Sequence, residues 1–290
     1  LSYCDRALGI TSAEEQPVLP KGNNLSLHLL ELFTSQVAKV GMTDGIRQVL
    51  QEESDALRAY YEQAGILIAR PAGGTSCRLA ISAKGGTNAE NHNHNDVGSY
   101  AVALGSETMV GDQGGPNSYP GDYFNGDAPQ KYKIKGSFGH PVPVVDGRTQ
   151  SSGGKAKGVV LQKEFTNEKD VFSIDYTSAY STPNLDKLIR TFVYDRQGKG
   201  SFTVGDEFTA KTPIRFETAI TTRADWKILD DTHLLLATDS EQMIVAIDAS
   251  GKVAFTSETI EVNSPAYTRI GIALKNQSKE GYIRLKMYTK

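Results

Sequence analysis

The stretch NAENHNHNDVGSY, residues 88–100, holds two histidines, His92 and His94, separated by one residue. Side chains alternate along an extended strand, so both imidazoles would share one face if this stretch is a strand. Neutral imidazoles suit Zn²⁺, which would also need a carboxylate or another histidine. Asp112 follows the next strand-like run, and His140 precedes another. The spacing leaves two interpretations open: a metal site, or solvated and hydrogen-bonded polar side chains.

A cupin-type metalloenzyme is a further interpretation of the same histidines. Gly86, followed by five residues and then by His92 and His94, fits the opening of the cupin metal motif. That motif continues with a glutamate shortly after the second histidine, whereas Gly98 and Ser99 occupy this region. No second motif ending in a histidine follows. The cupin interpretation is therefore the less favoured one.

The elements that must position these residues are predicted to be mainly antiparallel strands. After Gly65, at least eleven short runs rich in β-branched and aromatic residues alternate with turn signals, which is typical of a large β-sandwich or barrel. Before it, apolar residues recur at helical spacing, and the second of two predicted helices continues through Tyr60. The predicted organisation is a helical segment, residues 1–62, followed by a β-domain, residues 63–290.

Composition excludes several classes of function. The 290 residues carry a net charge of −3, which argues against general nucleic-acid binding, since that requires a basic surface. No apolar run approaches the ~18–20 residues of a membrane span. The two cysteines, Cys4 and Cys77, lie far apart without metal-type spacing, and are predicted to be free thiols.

Two stretches carry a more specific signal: GGTNAENHNHNDVGSYAVALGSETMVGDQGG and, after a loop, FGHPVPVVDGRTQ. Together they closely resemble the signature region of heparinase II/III-like polysaccharide lyases, with Tyr100 where phenylalanine is usual. The resemblance is specific over residues 85–150. It implies an N-terminal (α/α) toroid joined to a large antiparallel β-sandwich, and cleavage of uronic-acid-containing polysaccharides by β-elimination.

The resemblance also implies roles for individual residues. His92 resembles the catalytic histidine of these lyases. His94, Asp112 and His140 resemble the ligands of a Zn²⁺ ion that is regarded as structural. In the family, the helical toroid supplies further catalytic groups, and residues 1–62 resemble only its C-terminal helices. We therefore expect the chain to be a fragment with part of an active site, from a periplasmic or secreted protein.

The expected partner is an anionic polysaccharide or oligosaccharide, and the long loop after Asp112 offers residues to contact it. Tyr119, Tyr123 and Tyr132 are candidates for stacking on sugar rings. Lys131 and Lys133 would share one face with Lys135 if this stretch is extended, and would attract an anionic substrate. The alternatives are loop-packing aromatic residues and a solvated edge. A non-catalytic carbohydrate-binding or structural sandwich is the alternative for the whole domain.

Overall fold

The computed structural model describes residues 56–90, 92–112, 114–116, 118–261 and 266–290. The chain divides into two compact units, Leu1–Ala56 and Leu57–Lys290. The helices predicted before residue 56 lie outside the described residues. In the described part, no helix is long and apolar enough to cross a membrane.

The second unit consists almost entirely of strands, nineteen of them among the described residues. The first nine are β1 Arg58–Tyr61, β2 Ile66–Ala69, β3 Leu79–Lys84, β4 Thr87–Asn88, β5 Tyr100–Leu104, β6 Glu107–Val110, β7 Val144–Val145, β8 Gly153–Lys157 and β9 Val159–Phe165. The others are β10 Lys169–Asp175, β11 Leu185–Asp195, β12 Ser201–Ile214, β13 Phe216–Thr222, β14 Asp225–Asp230, β15 His233–Ala237, β16 Gln242–Ala249, β17 Val253–Ile260, β18 Tyr267–Leu274 and β19 Ser278–Thr289. A helical turn, α1 Ala128–Lys131, and two 3-10 turns, Ser137–Gly139 and Thr177–Ala179, interrupt the strands.

The largest sheet has eight antiparallel strands in the order β14-β15-β16-β19-β12-β11-β10-β9. In its central strands, successive side chains point to opposite faces of the sheet. In β11, Phe192 and Tyr194 are buried and Val193 between them is not, and in β12 Phe202 and Val204 repeat the pattern. One face of this sheet therefore supplies a continuous apolar surface.

Two smaller sheets form the opposite layer. A five-stranded sheet, β1-β2-β3-β5-β6, meets a four-stranded sheet, β17-β18-β13-β7. The amide of Gly111 donates to the carbonyl of Thr221 at 3.0 Å, and the hydroxyl of Thr222 donates to the carbonyl of Met109 at 2.7 Å. These bonds join the two sheets at β6 and β13. A single cluster of buried side chains includes residues of all three sheets, so the unit is an antiparallel β-sandwich, as predicted.

The N-terminal boundary of the predicted β-domain needs correction. The helix expected to continue through Tyr60 is wrong for Arg58–Tyr61, which form β1 and pair with β2. Tertiary contacts decide this conformation. The ring of Tyr60 packs edge-on against Phe172 at 5.7 Å between centroids, and Arg58 forms an ion pair with the buried Asp170 at 2.8 Å. Among the described residues, Cys77 is a buried free thiol, as predicted.

A buried ion pair links the sandwich core to the loops that carry the candidate site. Arg190 on β11 and Asp206 on β12 are almost fully buried, and two nitrogens of Arg190 donate to the two carboxylate oxygens at 2.7 and 2.6 Å. The remaining nitrogen, Nη1, donates to the carbonyls of Gly98 at 2.7 Å and Pro141 at 2.8 Å. Gly98 lies in the segment between β4 and β5 that contains His92 and His94, and Pro141 directly follows His140.

Candidate active site

The segment between β4 and β5, described for residues 89–90 and 92–99 and here called the histidine loop, is irregular rather than extended. His92 has a φ of 58°, in the left-handed region that non-glycine residues rarely adopt. The prediction that His92 and His94 share one face of a strand is therefore wrong. The turn leaves His92 exposed and His94 half-buried, so the two imidazoles occupy different environments.

Gln150 holds this loop in shape through its side-chain amide. Its oxygen accepts hydrogen bonds from the Asn88 side chain at 3.0 Å and the Val97 backbone amide at 3.1 Å. Its nitrogen donates to the Val97 carbonyl at 2.7 Å. Asn88 in turn accepts from the backbone amide of Asp96 at 3.0 Å. Both amide side chains are buried, and they replace the ladder bonds that an irregular segment lacks.

Replacement of Gln150 by leucine should therefore destabilise the chain. The variant leaves the amide and carbonyl of Val97 buried without partners, which costs about 1–3 kcal/mol for each such group. The measurement is the free energy of unfolding from chemical denaturation. Gln162→Leu is the matched control, because Gln162 is exposed on β9 and its side-chain amide donates a hydrogen bond to the exposed Glu164. An equal loss of stability in both variants would contradict the role of Gln150.

Asp112 and His140 form the centre of the candidate metal site. Nε2 of the buried His140 lies 3.0 Å from the Ile134 carbonyl, an acceptor only, so this nitrogen carries a proton and donates it. Nδ1 then faces Oδ2 of Asp112 at 3.0 Å, and the hydroxyl of Ser99 donates to the same oxygen at 2.8 Å. Burial alone would raise the pKa of Asp112, but His140 beside it holds that pKa below its usual value.

Asp96 joins this pair, a residue that the sequence analysis did not single out. Ligand atoms of Asp96, Asp112 and His140 lie within 4.8 Å of one another. Burial raises the pKa of Asp96, although its Oδ1 accepts a hydrogen bond from Nζ of Lys84 at 2.5 Å. Its position two residues after His94 was the available signal.

His94 lies beside this group of three but is not part of it. Its ring is 5.2 Å from the ring of His140, between centroids. Its Nε2 lies 3.1 Å from the hydroxyl of Tyr123, which leaves Nδ1 as the nitrogen available for ligation. Burial and the neighbouring His140 lower the pKa of His94 to about 3, so the imidazole is neutral at pH 7. Neutral imidazole is the form that binds metals.

A cavity of about 340 Å³ opens beside the histidine loop. His92 contributes to its wall and packs edge-on against Phe124, with 4.9 Å between ring centroids. Most of the remaining wall is polar. Its other lining residues are Asn88, Glu90, Asn93, Asn95, Asn125, Gly126, Pro129, Lys135 and Ser152. An exposed imidazole thus faces a polar recess of the size of a small ligand site.

The predicted tyrosine contacts lie near this cavity without lining it. Tyr123 is buried, and its ring is 5.1 Å from that of the exposed Tyr119 and 5.4 Å from that of Tyr132, between centroids. Its hydroxyl reaches His94, whereas the hydroxyl of Tyr132 donates to Asp122 at 2.5 Å. The three tyrosines form a cluster, and their contact with sugar stays a prediction.

The row of lysines predicted on one extended face is wrong. Lys131 is the last residue of the helical turn α1, whose first turn contains a proline. The side chains of this segment therefore do not alternate between two faces as they would in a strand. Lys131 pairs with Asp122, and Lys133 pairs with Glu258. Neither lines the cavity. Lys135 does, and it is buried where the other two are exposed.

Solved structures with the same fold include proteins named heparinase III and heparan sulfate lyase. The chain is similar to heparinase III, with a TM-score of 0.64, 17% identity and coverage of 80% of this chain and 36% of that one. Heparan sulfate lyase HepC from Pedobacter heparinus gives a TM-score of 0.68, 15% identity and coverage of 91% and 42%. The heparinase III BT4657 gene product gives 0.66, 12%, 91% and 41%. No family model and no curated protein matches the sequence.

These similarities show a shared fold. The chain spans about two fifths of the length of the solved structures it matches.

Proposed function

We propose that this chain is the β-sandwich part of a polysaccharide lyase that cleaves a uronic-acid-containing polysaccharide by β-elimination. The observation that carries the proposal is His92, which is exposed on the wall of a polar cavity. Its loop also contains Asp96, which lies in a cluster with Asp112 and His140. The heparinase-like fold supports it. An anionic polysaccharide that contains uronic acid, such as a glycosaminoglycan or alginate, is the proposed substrate class, and the periplasm or the cell exterior is the proposed compartment.

The reaction removes the proton α to a uronate carboxylate and expels the glycosidic oxygen from the β carbon. A base must reach that proton, an acid must protonate the leaving oxygen, and the charge that develops on the carboxylate must be stabilised. His92 faces the cavity and contacts the substrate, either as the base or as a donor to the carboxylate. Burial raises the pKa of Tyr123, so its hydroxyl keeps its proton at pH 7. Other groups of the catalytic set belong to the proposed helical toroid.

The residues beside His92 fit a structural Zn²⁺ ion. Imidazole nitrogens and carboxylate oxygens are zinc ligands, and the proton on Nε2 of His140 leaves Nδ1 directed at Asp112. His94, Asp112 and His140 would hold the ion, with Asp96 as a further ligand. The ion would tie together the histidine loop, the end of β6 and the segment before β7. Its chemistry here is cross-linking, which orients the neighbouring His92.

Elimination is directly measurable, because it creates an unsaturated uronate that absorbs in the ultraviolet. The full-length gene product should cleave at least one polymer in a panel of heparan sulfate, heparin and alginate. His92→Ala in that protein should lower turnover by about 10²–10⁴-fold, the usual effect of losing a general acid or base. We expect the 290-residue chain alone to be slower by orders of magnitude, because it holds only part of the catalytic set.

His233→Ala is the matched control, since His233 lies on β15, pairs with Asp230 and does not line the cavity. Full activity in His92→Ala would contradict the assignment of His92. Saturable polymer binding without any unsaturated product would instead favour a non-catalytic carbohydrate-binding domain.

A further inference from the structure

Lys135 is a buried cation on the wall of the cavity that contains His92. Only 7% of its surface is exposed. Lys84, another lysine near the histidine loop, forms an ion pair with Asp96, whereas none of the described carboxylates forms an ion pair with Lys135. A buried ammonium group without a counter-ion is unfavourable, so burial of Lys135 costs free energy unless another group compensates its charge.

The backbone and two aromatic rings fix the side chain in place. Asn95 donates its amide to the carbonyl of Lys135 at 3.0 Å, which ties the residue to the histidine loop. Nζ donates one hydrogen bond to the carbonyl of Tyr123 and lies 4.8 and 4.9 Å from the ring centroids of Tyr123 and Phe124. An ammonium group has three donors, and only one of them has a hydrogen-bond partner among the described residues.

The rest of the wall does not neutralise this charge. Its polar side chains are mainly neutral amides and a hydroxyl, which donate to anionic oxygens as readily as they accept. The single acidic residue, Glu90, is exposed, and its carboxylate accepts a hydrogen bond from Thr87. Burial lowers the pKa of Lys135, and an anion beside Nζ would offset that cost. The cavity therefore favours a ligand with a negatively charged oxygen group.

We propose that Lys135 binds an anionic oxygen group of the sugar, a uronate carboxylate or a sulfate, inside the cavity beside His92. The identity of the ligand as a sugar rests on the proposed function, whereas the preference for an anion rests on the cavity alone. Lys131 and Lys133 are already paired with acidic residues, so selection for a charged sugar belongs to Lys135. Lys135 is thus a specificity-determining residue.

Binding of small sugars to the 290-residue chain tests the proposal without requiring catalysis. Methyl glucuronide carries only the carboxylate, glucosamine N-sulfate only the sulfate, and methyl glucoside neither, so titrations followed by NMR separate the two anions from a neutral sugar. Lys135→Met keeps the length of the side chain but removes the charge. It should weaken binding of at least one anionic sugar by about 10–100-fold, the usual effect of losing a charged hydrogen bond. Lys135→Arg should retain binding.

Lys227→Met is the matched control, because Lys227 is exposed on β14 and does not line the cavity. Circular dichroism verifies folding, and Lys135→Gln replaces the methionine variant if that variant fails to fold. Whichever sugar loses affinity identifies the carboxylate or the sulfate as the bound group. The proposal is overturned if the unchanged chain shows no preference for either anionic sugar over methyl glucoside, or if loss of the charge leaves anion binding unchanged.

These outcomes separate the inference from the proposed function. Anion binding that depends on Lys135, in a protein whose full-length form cleaves no polymer, would refute the lyase and retain the anion site. Cleavage by a full-length enzyme whose anion binding is insensitive to Lys135 would retain the lyase and refute the anion site.

Discussion

Purified without chelator, the 290-residue chain should contain about one zinc ion, and Asp112→Ala should contain almost none. Asp112 contacts His140 and belongs to the group whose ligand atoms lie within 4.8 Å, so its loss removes the central carboxylate. Because zinc binds the folded state, its removal should also destabilise the chain, by about 4 kcal/mol where free zinc is a thousandfold above Kd. Elemental analysis and melting with and without chelator are the measurements.

Variants of the two neighbouring histidines separate their proposed roles. His94→Ala should lose zinc and stability, because the neutral imidazole beside His140 is proposed as a ligand. His92→Ala should retain both, since His92 is exposed on the cavity wall. Asp96→Asn should weaken zinc binding without abolishing it. Equal zinc loss in both histidine variants would contradict this division of roles, and absence of metal from the unchanged chain would refute the zinc site.

Most of the sandwich could be predicted because the burial pattern of a strand follows from the order of apolar and polar residues within that strand. Alternation of apolar and polar residues marks β11 and β12 without any knowledge of their partners. Arg58–Tyr61 could not be assigned this way, since its strand conformation depends on pairing with β2 and on aromatic contacts with residues more than a hundred positions away. Local periodicity there favoured a helix, and tertiary packing overrode it.

The candidate site could be predicted only in part, because contacts between residues distant in sequence determine much of its geometry. Asp112 and His140 were expected to meet, and they do. The strand geometry expected for His92 and His94 failed, because the loop owes its shape to Gln150, some fifty residues away. No local pattern marks a glutamine that satisfies a distant backbone. Lys135 shared a regular spacing with two exposed lysines, and only the folded chain distinguishes its burial.

The buried ion pair between Arg190 and Asp206 should dominate the response of the fold to a single substitution. Arg190→Met removes the guanidinium but leaves the Asp206 carboxylate buried, with the hydroxyls of Tyr176 and Thr218 as its remaining side-chain donors among the described residues. Breaking a buried pair in this way costs about 3–5 kcal/mol. The measurement is the free energy of unfolding by denaturant. Zinc content should fall as well, because Gly98 and Pro141 lose the donor that holds their loops together.

The matched control is Arg284→Met on β19, where an exposed arginine pairs with Glu207 and Asp248. Exposed ion pairs contribute about 0–1 kcal/mol, since water already solvates both charges. A second substitution, Asp206→Leu, should recover part of the stability lost in Arg190→Met, because it removes the unpaired buried charge. The recovery should stay incomplete, since the carbonyls of Gly98 and Pro141 still lack their donor. Similar losses in the buried and exposed variants, or no recovery in the double variant, would contradict the account in which the unpaired Asp206 charge causes the loss.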